Sequence, residues 1–467
     1  MATLNINPSN VTGVCSHSLA FDLDGPDIKY WRDRPVMQQQ SKDANMQFCR
    51  FFEHRIGKVC SSWQNRSFNW IDLDLLVQRL LDNDIQPIIC LGFIRTNKAD
   101  QVTYGAVSTL PDDFPFDPNT LLPYPADWAE YCGIWARHYK GKVGTYEVFN
   151  EPYQYFGWPA QEPKLSYWMN DYNVGFDAMK QVDPLLQISN DAVTLKLVLQ
   201  KVLANGTKID TVNFHRYATG DISISDSVLF NLAETYGLTE SSSYYAPQQA
   251  RSLVYTAIGK SLPILLTEYN VNYAWSNGTD IRNTNIFGAV HSTISLMAFI
   301  KAGVNASFFF HHASSKQLET QKATGWGFGL VNRDDNTPYY PYYAQKMIGP
   351  NLSIGDKFVS CSSDSANLRT IAWIHEGKLV VLIACKTHTP EQLNFTGVQG
   401  SFTYEKIDET IPSDNPQLQK GTLNLNEPFS LKGYTVLLLQ QELATKKWMF
   451  SHWQDGDANP TKTVIVT

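Results

Sequence analysis

The chain is 467 residues long, 43% hydrophobic and 18% charged, with a net charge of −7. That length exceeds one ordinary domain and predicts two unequal ones. The acidic balance argues against a nucleic-acid partner, since the longest cationic run is Lys446-Lys447, and no stretch approaches the roughly 18–20 apolar residues of a membrane span.

In chain order, strands are predicted at 15–23, 46–52, 87–93, 145–150, 186–192, 212–217, 264–269 and 306–311. Helical spacing of apolar residues predicts helices at 71–81, 126–139, 167–182, 248–259, 286–302 and 342–348. Eight alternations of strand and helix predict parallel pairing with right-handed crossovers, an α/β fold of the (β/α)8 TIM-barrel type over residues 13–349. Beyond Pro350 the pattern changes to short alternating runs at 368–373, 379–385, 401–406, 429–431 and 434–439, with turn clusters such as Pro412-Ser-Asp-Asn-Pro416 between them. This predicts a C-terminal antiparallel β-sandwich over 350–441. Residues 3–7 alternate as well, so 1–12 are a candidate contribution to it, and 442–467 read as a polar tail carrying Trp448 and Trp453.

The cysteines, seven in number, are too scattered for a disulfide framework, and no CxxC or Cys/His cluster has zinc spacing. No metal and no cofactor is expected. The first residues lack the blocks of a signal peptide. Sequons at Asn10, Asn65, Asn205, Asn277, Asn305, Asn351 and Asn394 leave a secreted and a cytoplasmic location both open.

The chemistry concentrates at two strand ends. Gly144-Thr-Tyr-Glu-Val-Phe149 runs into Asn150-Glu151-Pro152, and Pro263-Ile-Leu-Leu-Thr runs into Glu268-Tyr269-Asn270. In a parallel barrel, catalytic groups stand at the strand C-terminal ends. One such glutamate is as easily a buried structural group, but two at matching ends predict an acid/base and a nucleophile. Breaking a glycosidic bond with retention needs two carboxyl groups about 5–5.5 Å apart. Glu151 is expected to be protonated, its pKa raised by the charge of Glu268, and Glu268 to stay ionised with help from Arg50 and Tyr217. Asn150 is a candidate donor to the sugar 2-hydroxyl, and His215 is as readily a core histidine as a ligand. Tyr153, Tyr155 and Trp158 behind Glu151, and Tyr269, Tyr273 and Trp275 behind Glu268, are candidates for a sugar platform, though packing explains any single one equally well.

These segments resemble clan A glycoside hydrolases, and within them family 39, which includes β-xylosidases and α-L-iduronidases. The resemblance is carried by Phe68-Asn69-Trp70-Ile71-Asp72, by Gln86 to Phe93, by Tyr146 to Pro152, by Asp177 to Pro184, by Leu266 to Asn270, and by Gly327 to Asn332 with Pro338 to Tyr343. It covers roughly 45–348. It implies retention through a covalent glycosyl-enzyme, with Glu151 as acid/base and Glu268 as nucleophile, on a carbohydrate substrate of xylosidase- or glucosidase-like type. Two departures stand out. The run Phe308-Phe-Phe-His311-His312 has histidine where many clan members place a tryptophan under the −1 sugar, leaving Trp326 as a substitute, and the insert 95–127 has its own sequence.

Three other functions compete with a retaining glycosidase on β-linked glycans. They are an endo-acting glycanase of cellulase-like clan A type, a catalytically silent carbohydrate-binding barrel, and a metal-dependent hydrolase using His215, His311 and His312. Sugar identity, exo or endo action and oligomeric state are not read from the sequence.

Overall fold

The strand Ile264–Asn272 buries every one of its residues. A strand is covered so completely only when helices pack on one face and a filled barrel interior on the other. In the computed structural model, which describes residues 1–25, 27–53, 56–92, 110–274, 280–314, 327–413, 415–425 and 427–443, eight such strands follow a first strand, β1 (Ala2–Val14). They are β2 (Ser18–Leu23), β3 (Phe48–Phe52), β4 (Gln86–Leu91), β5 (Thr145–Val148), β6 (Gln187–Ser189), β7 (Val212–Thr219), β8 (Ile264–Asn272) and β9 (Ala306–Phe309). All pair in parallel in the order β6-β5-β4-β3-β2-β9-β8-β7. The ring closes between β6 and β7, where Asp210 N–H donates to the Ile188 carbonyl at 2.8 Å and the Ser189 hydroxyl to the Thr211 carbonyl at 2.5 Å. This is the expected (β/α)8 barrel.

The outer helices bury one stripe each. Helix Ile71–Asp82 buries Leu73, Leu76, Val77 and Leu80, the spacing of one helical face, with Asp72 and Asp74 at its positive end and Arg79 at its negative end. Helix Ile286–Lys301 is apolar nearly all round, because it lies between two layers. Its Tyr269 contact through Phe299 faces the barrel, while Val290, Ile294 and Met297 share a core with Trp373, Leu382 and Leu438 of the second sheet. Helices Asp27–Asp33, Pro35–Asp43, Lys196–Ala204 and Asp226–Thr235 are additions to the predicted set.

The second sheet holds nine strands. It adds β10 (Lys357–Ser363), β11 (Leu368–His375), β12 (Lys378–Cys385), β13 (Glu391–Thr396), β14 (Ser401–Asp408), β15 (Gln419–Asn424), β16 (Phe429–Leu431) and β17 (Thr435–Glu442) to β1. Their order is β15-β14-β17-β12-β11-β10-β1-β13-β16, antiparallel except where β1 meets β13. Alternation along β12 sends Val380, Leu382 and Ala384 toward the barrel helices, and Leu379, Val381 and Ile383 into a separate core. Leu423 from one end of the strand order and Leu393 and Leu431 from the other meet in that separate core, so the sheet folds over on itself as a sandwich. β1 lies inside the sheet between β10 and β13, longer than residues 3–7 suggest, with Ala2, Leu4 and Ile6 buried. The tail from residue 444 and residues 95–109 of the insert lie outside the described residues.

The barrel interior is layered. Ala20, Ile88, Leu265, Ala306 and Phe308 plug it at the strand N-terminal side. Above them, toward the C-terminal ends, stand buried charges: Asp22, Arg50, Glu147 and Glu268. Layering of this kind places chemistry at one mouth of the barrel.

Candidate active site

Glu151 reaches the mouth because β5 stops two residues earlier than the predicted 145–150. Phe149 and Glu151 take left-handed backbone conformations, with φ of 67° and 45°, which no strand accommodates. Phe149 is held by its N–H on the Leu91 carbonyl at 2.7 Å and by stacking on Trp128. The Glu151 N–H is received by both carboxylate oxygens of Asp191, at 3.0 and 3.1 Å. On β8 the pleat turns Glu268 inward and its neighbour Tyr269 outward.

Arg50, fully buried on β3, is the hub. Its Nη1 donates to Glu268 Oε1 at 2.8 Å, its Nη2 to Glu147 Oε1 at 2.7 Å and to Asn150 Oδ1 at 2.5 Å, and its Nε to Glu147 at 3.2 Å. Asp22 lies 3.4 Å from Nη1. The other oxygen of Glu268 accepts from the Tyr217 hydroxyl at 2.7 Å, and Asn213 donates to Glu147 at 3.0 Å. With its oxygen on Arg50, the Asn150 amide presents its N–H donors, which have no protein partner among the described residues.

His215 joins the two glutamates. Its Nδ1 lies 3.1 Å from Glu151 Oε1, 3.5 Å from Asp191 Oδ2 and 3.6 Å from Glu268 Oε2. The nearest oxygens of Glu151 and Glu268 are therefore no further apart than the sum of the first and last distances. That bound admits the ~5–5.5 Å spacing of a retaining pair and reaches only the low edge of the ~6.5–9.5 Å inverting range. Burial alone would strip the proton from this imidazole. The charges of Glu268 and Asp191 and the bond to Glu151 outweigh it and lift His215 to about 10.

The charge pattern differs from the expected one. Burial pushes Glu151 upward, but the hydrogen bond and charge of His215 hold it below its ordinary value. Burial lifts Glu268 above the usual carboxylate range, against His215 and Arg50. A cation standing between the two carboxylates thus reverses the predicted effect of Glu268 on Glu151. Burial also raises Asp191, to about 8, with His215 opposing and Glu147 and Glu151 adding.

Glu151, Asp191 and His215 present ligand-type atoms within 4.8 Å of one another. The His215 nitrogen and the two carboxyl groups pair as a hydrogen-bonded, ion-paired cluster. His311 and His312 do not join it. His311 Nδ1 is hydrogen-bonded to Asp27, and His312 Nε2 to the Ser41 hydroxyl at 3.1 Å, so the three-histidine arrangement is corrected. The ring at the end of the eighth strand that packs beside Tyr217, at 6.2 Å, is Phe310, and it clusters with Phe52 and Phe328.

Six of the expected site residues come together: Arg50, Asn150, Glu151, His215, Tyr217 and Glu268. Tyr153 lies beside Glu151, and Trp158 stands half-exposed at the rim between Tyr153 and Tyr244, at 5.6 and 5.0 Å. Tyr269 is corrected to a core ring. Its outward position packs it on Phe299 and Phe309, with its hydroxyl accepting from Gln345. Trp275 and Trp326 lie outside the described residues. Sequence reading misses Asp191, Glu147, Asp22, Phe310 and Gln154, which donates to Glu151 Oε2 at 2.6 Å. Asp191 falls inside the predicted strand 186–192, and only the earlier end of the observed strand, at Ser189, places it at the barrel mouth.

A model of glycosyl hydrolases family 39 matches residues 8–334. No curated protein matches the chain. Among solved structures, a GH39 β-xylosidase from Caulobacter crescentus is similar at 16% identity, over 94% of this chain and 99% of that one, with a TM-score of 0.62. The GH39 enzyme from Xanthomonas axonopodis pv. citri is similar at 15% identity, over 95% and 97%, with a TM-score of 0.62. A GH51 α-L-arabinofuranosidase from Thermotoga petrophila RKU-1 is similar at 14%, over 95% and 100%, with a TM-score of 0.63. At these identities the likeness is one of fold.

Proposed function

Because the chain belongs to glycosyl hydrolases family 39, we propose that this glycoside hydrolase cleaves β-linked oligo- or polysaccharides with retention, Glu268 acting as nucleophile and Glu151 as acid/base. The observation that carries this reading is the single His215 nitrogen lying 3.1 Å from Glu151 and 3.6 Å from Glu268. Two carboxyl groups held this close suit the flanks of one sugar carbon, and their spacing admits the separation of a retaining pair.

In the first half-reaction a Glu268 oxygen bonds to the anomeric carbon while the bond to the leaving oxygen breaks, and Glu151 gives that oxygen a proton. In the second, a water oxygen bonds to the same carbon, its proton passes to Glu151, and Glu268 leaves. Arg50 and Tyr217 hold Glu268 in line for both steps. The Asn150 N–H donors face a group such as the sugar 2-hydroxyl, a contact that strengthens in an oxocarbenium-like transition state. Tyr153 and Trp158, on the acid side, suit the faces of the leaving sugar.

The silent-barrel alternative is disfavoured by energetics. Five carboxyl groups around two cations are costly to bury, on the order of several kcal/mol per ion before pairing, and a protein that only binds sugar gains nothing from them. The β-xylosidase neighbour from Caulobacter crescentus supports a xylose-like unit at the cleaved end.

The test uses aryl and natural glycosides side by side. Glu268→Gln is expected to abolish turnover of all of them in a folded protein. Glu151→Ala is expected to lose ~10²–10⁴-fold on natural substrates and to spare 2,4-dinitrophenyl glycosides, whose leaving group needs no proton. Equal losses on both classes would remove Glu151 from the acid role.

A further inference from the structure

A general acid must carry a proton, and the geometry raises the question of where that proton rests. Glu151 is kept on the ionised side by His215. Its neighbour Asp191 has no other role visible in the mechanism. Yet Asp191 is buried, accepts the Glu151 N–H with both oxygens, and lies 3.5 Å from the nitrogen that touches Glu151. One imidazole nitrogen thus stands between the two carboxyl groups.

We propose that Asp191 is the positioning residue that supplies and recovers the acid proton of Glu151, acting through Nδ1 of His215. The proposal rests on the glycosidase reading and adds a residue to it. Before reaction Asp191 and His215 are protonated and Glu151 is ionised. The Nδ1 proton moves to Glu151 Oε1, and the Asp191 carboxyl proton replaces it on Nδ1. Asp191 is now ionised, His215 is still a cation and Glu151 is the acid, so the net charge of the cluster is unchanged. Glu151 then protonates the leaving oxygen as the bond to the anomeric carbon breaks. When water attacks the glycosyl-enzyme, its proton returns to Glu151 and the two transfers run backward.

The remaining groups around the relay are engaged elsewhere. Glu147 and Glu268 are gripped by Arg50, and Tyr217 closes the other oxygen of Glu268. Glu147 faces His215 at Nε2, 3.9 Å away, rather than at Nδ1. Around Asp191 stand Glu147, Glu151 and Tyr153 from β5 and its loop, His215 from β7, Arg50 from β3 and Cys90 from β4. The elevated affinity of Asp191 for its proton, to about 8, suits a store that is filled at neutral pH and emptied above it. The same carboxyl also fixes the left-handed turn at Glu151, so aiming and proton supply share one side chain.

The experiment measures kcat/KM against pH for the full chain, wild type and Asp191→Asn, on phenyl and 2,4-dinitrophenyl β-xylosides and β-glucosides. For the phenyl substrate, the wild-type alkaline limb is expected near 8. Asp191→Asn is expected to remove the limb near 8, leaving the loss of the His215 proton at higher pH, and to lower the rate ~10-fold or more while leaving the dinitrophenyl substrate nearly intact. An unmoved limb overturns the proposal, and so do equal losses on both substrates, which would mark a structural role. The wild-type profile decides independently of any variant's folding: an alkaline limb below about pH 6 overturns it. If wild type hydrolyses none of the four substrates, the glycosidase reading itself fails and this proposal falls with it.

Discussion

Tyr217 and Glu268 face each other across 2.7 Å, hydroxyl to carboxylate, from adjacent strands of the barrel. The hydroxyl is one of the groups opposing the upward push of burial on Glu268. A hydrogen bond to a charged group is worth ~1.5–3 kcal/mol, or about one to two pH units. Tyr217→Phe is therefore expected to raise the acidic limb of the kcat/KM profile by about that much, since Glu268 then ionises at higher pH. A limb that stays in place would show that the hydroxyl does not support the ionised nucleophile.

Arg50→Met removes the cation shared by Glu147, Glu268 and Asp22 and leaves them buried together. Removing one partner of a buried ion pair costs ~3–5 kcal/mol. Thermal unfolding is expected to shift down by the corresponding amount, and activity to vanish. Wild-type stability in this variant would mean that the carboxyl groups can share protons well enough without the guanidinium.

His215 has a stability signature of its own. Its folded value, about 10, lies above the ordinary 6.5. The cation is thus favoured by folding, and its contribution is complete below about pH 6.5 and lost as pH rises through about 10. The stability difference between wild type and His215→Gln is expected to shrink across that window in chemical denaturation. A difference independent of pH would assign the imidazole a packing role only.

Leu4, fully buried in β1, ties the start of the chain into the sandwich core. Leu4→Ala is expected to cost ~2–5 kcal/mol in denaturant unfolding of the sandwich, with little change in the kcat of the remaining folded enzyme. A loss of kcat at full folding would instead indicate that the two layers communicate.

The barrel was legible because each of its strands is apolar along a run, and because both glutamates end such runs. Three sandwich strands were harder to see. Glu391–Thr396 buries only Leu393 and Phe395, and Gln419–Asn424 only Leu423, too few apolar positions to stand out from loop. Lys357–Ser363 carries polar residues over most of its length. Asp191 follows the three-residue strand Gln187–Ser189, whose brevity hides where the barrel mouth begins. Glu147 sits inside a run that reads as core, and its charge there is explained by Arg50 and Asn213 from other strands. The reversal at Glu151 depends on a histidine 64 positions away, which strand patterns do not connect to it.

The course of β1 sets an order of events during synthesis. Residues 2–14 are made well before their partners, β10 on one side and β13 on the other. The barrel's own first strand follows four residues after β1 ends, so barrel assembly can begin while the leading segment still waits, unpaired, for more than 340 further residues. A nascent chain of this design carries an open edge, and is protected from wrong pairing only once the ribosome has delivered β10 and β13.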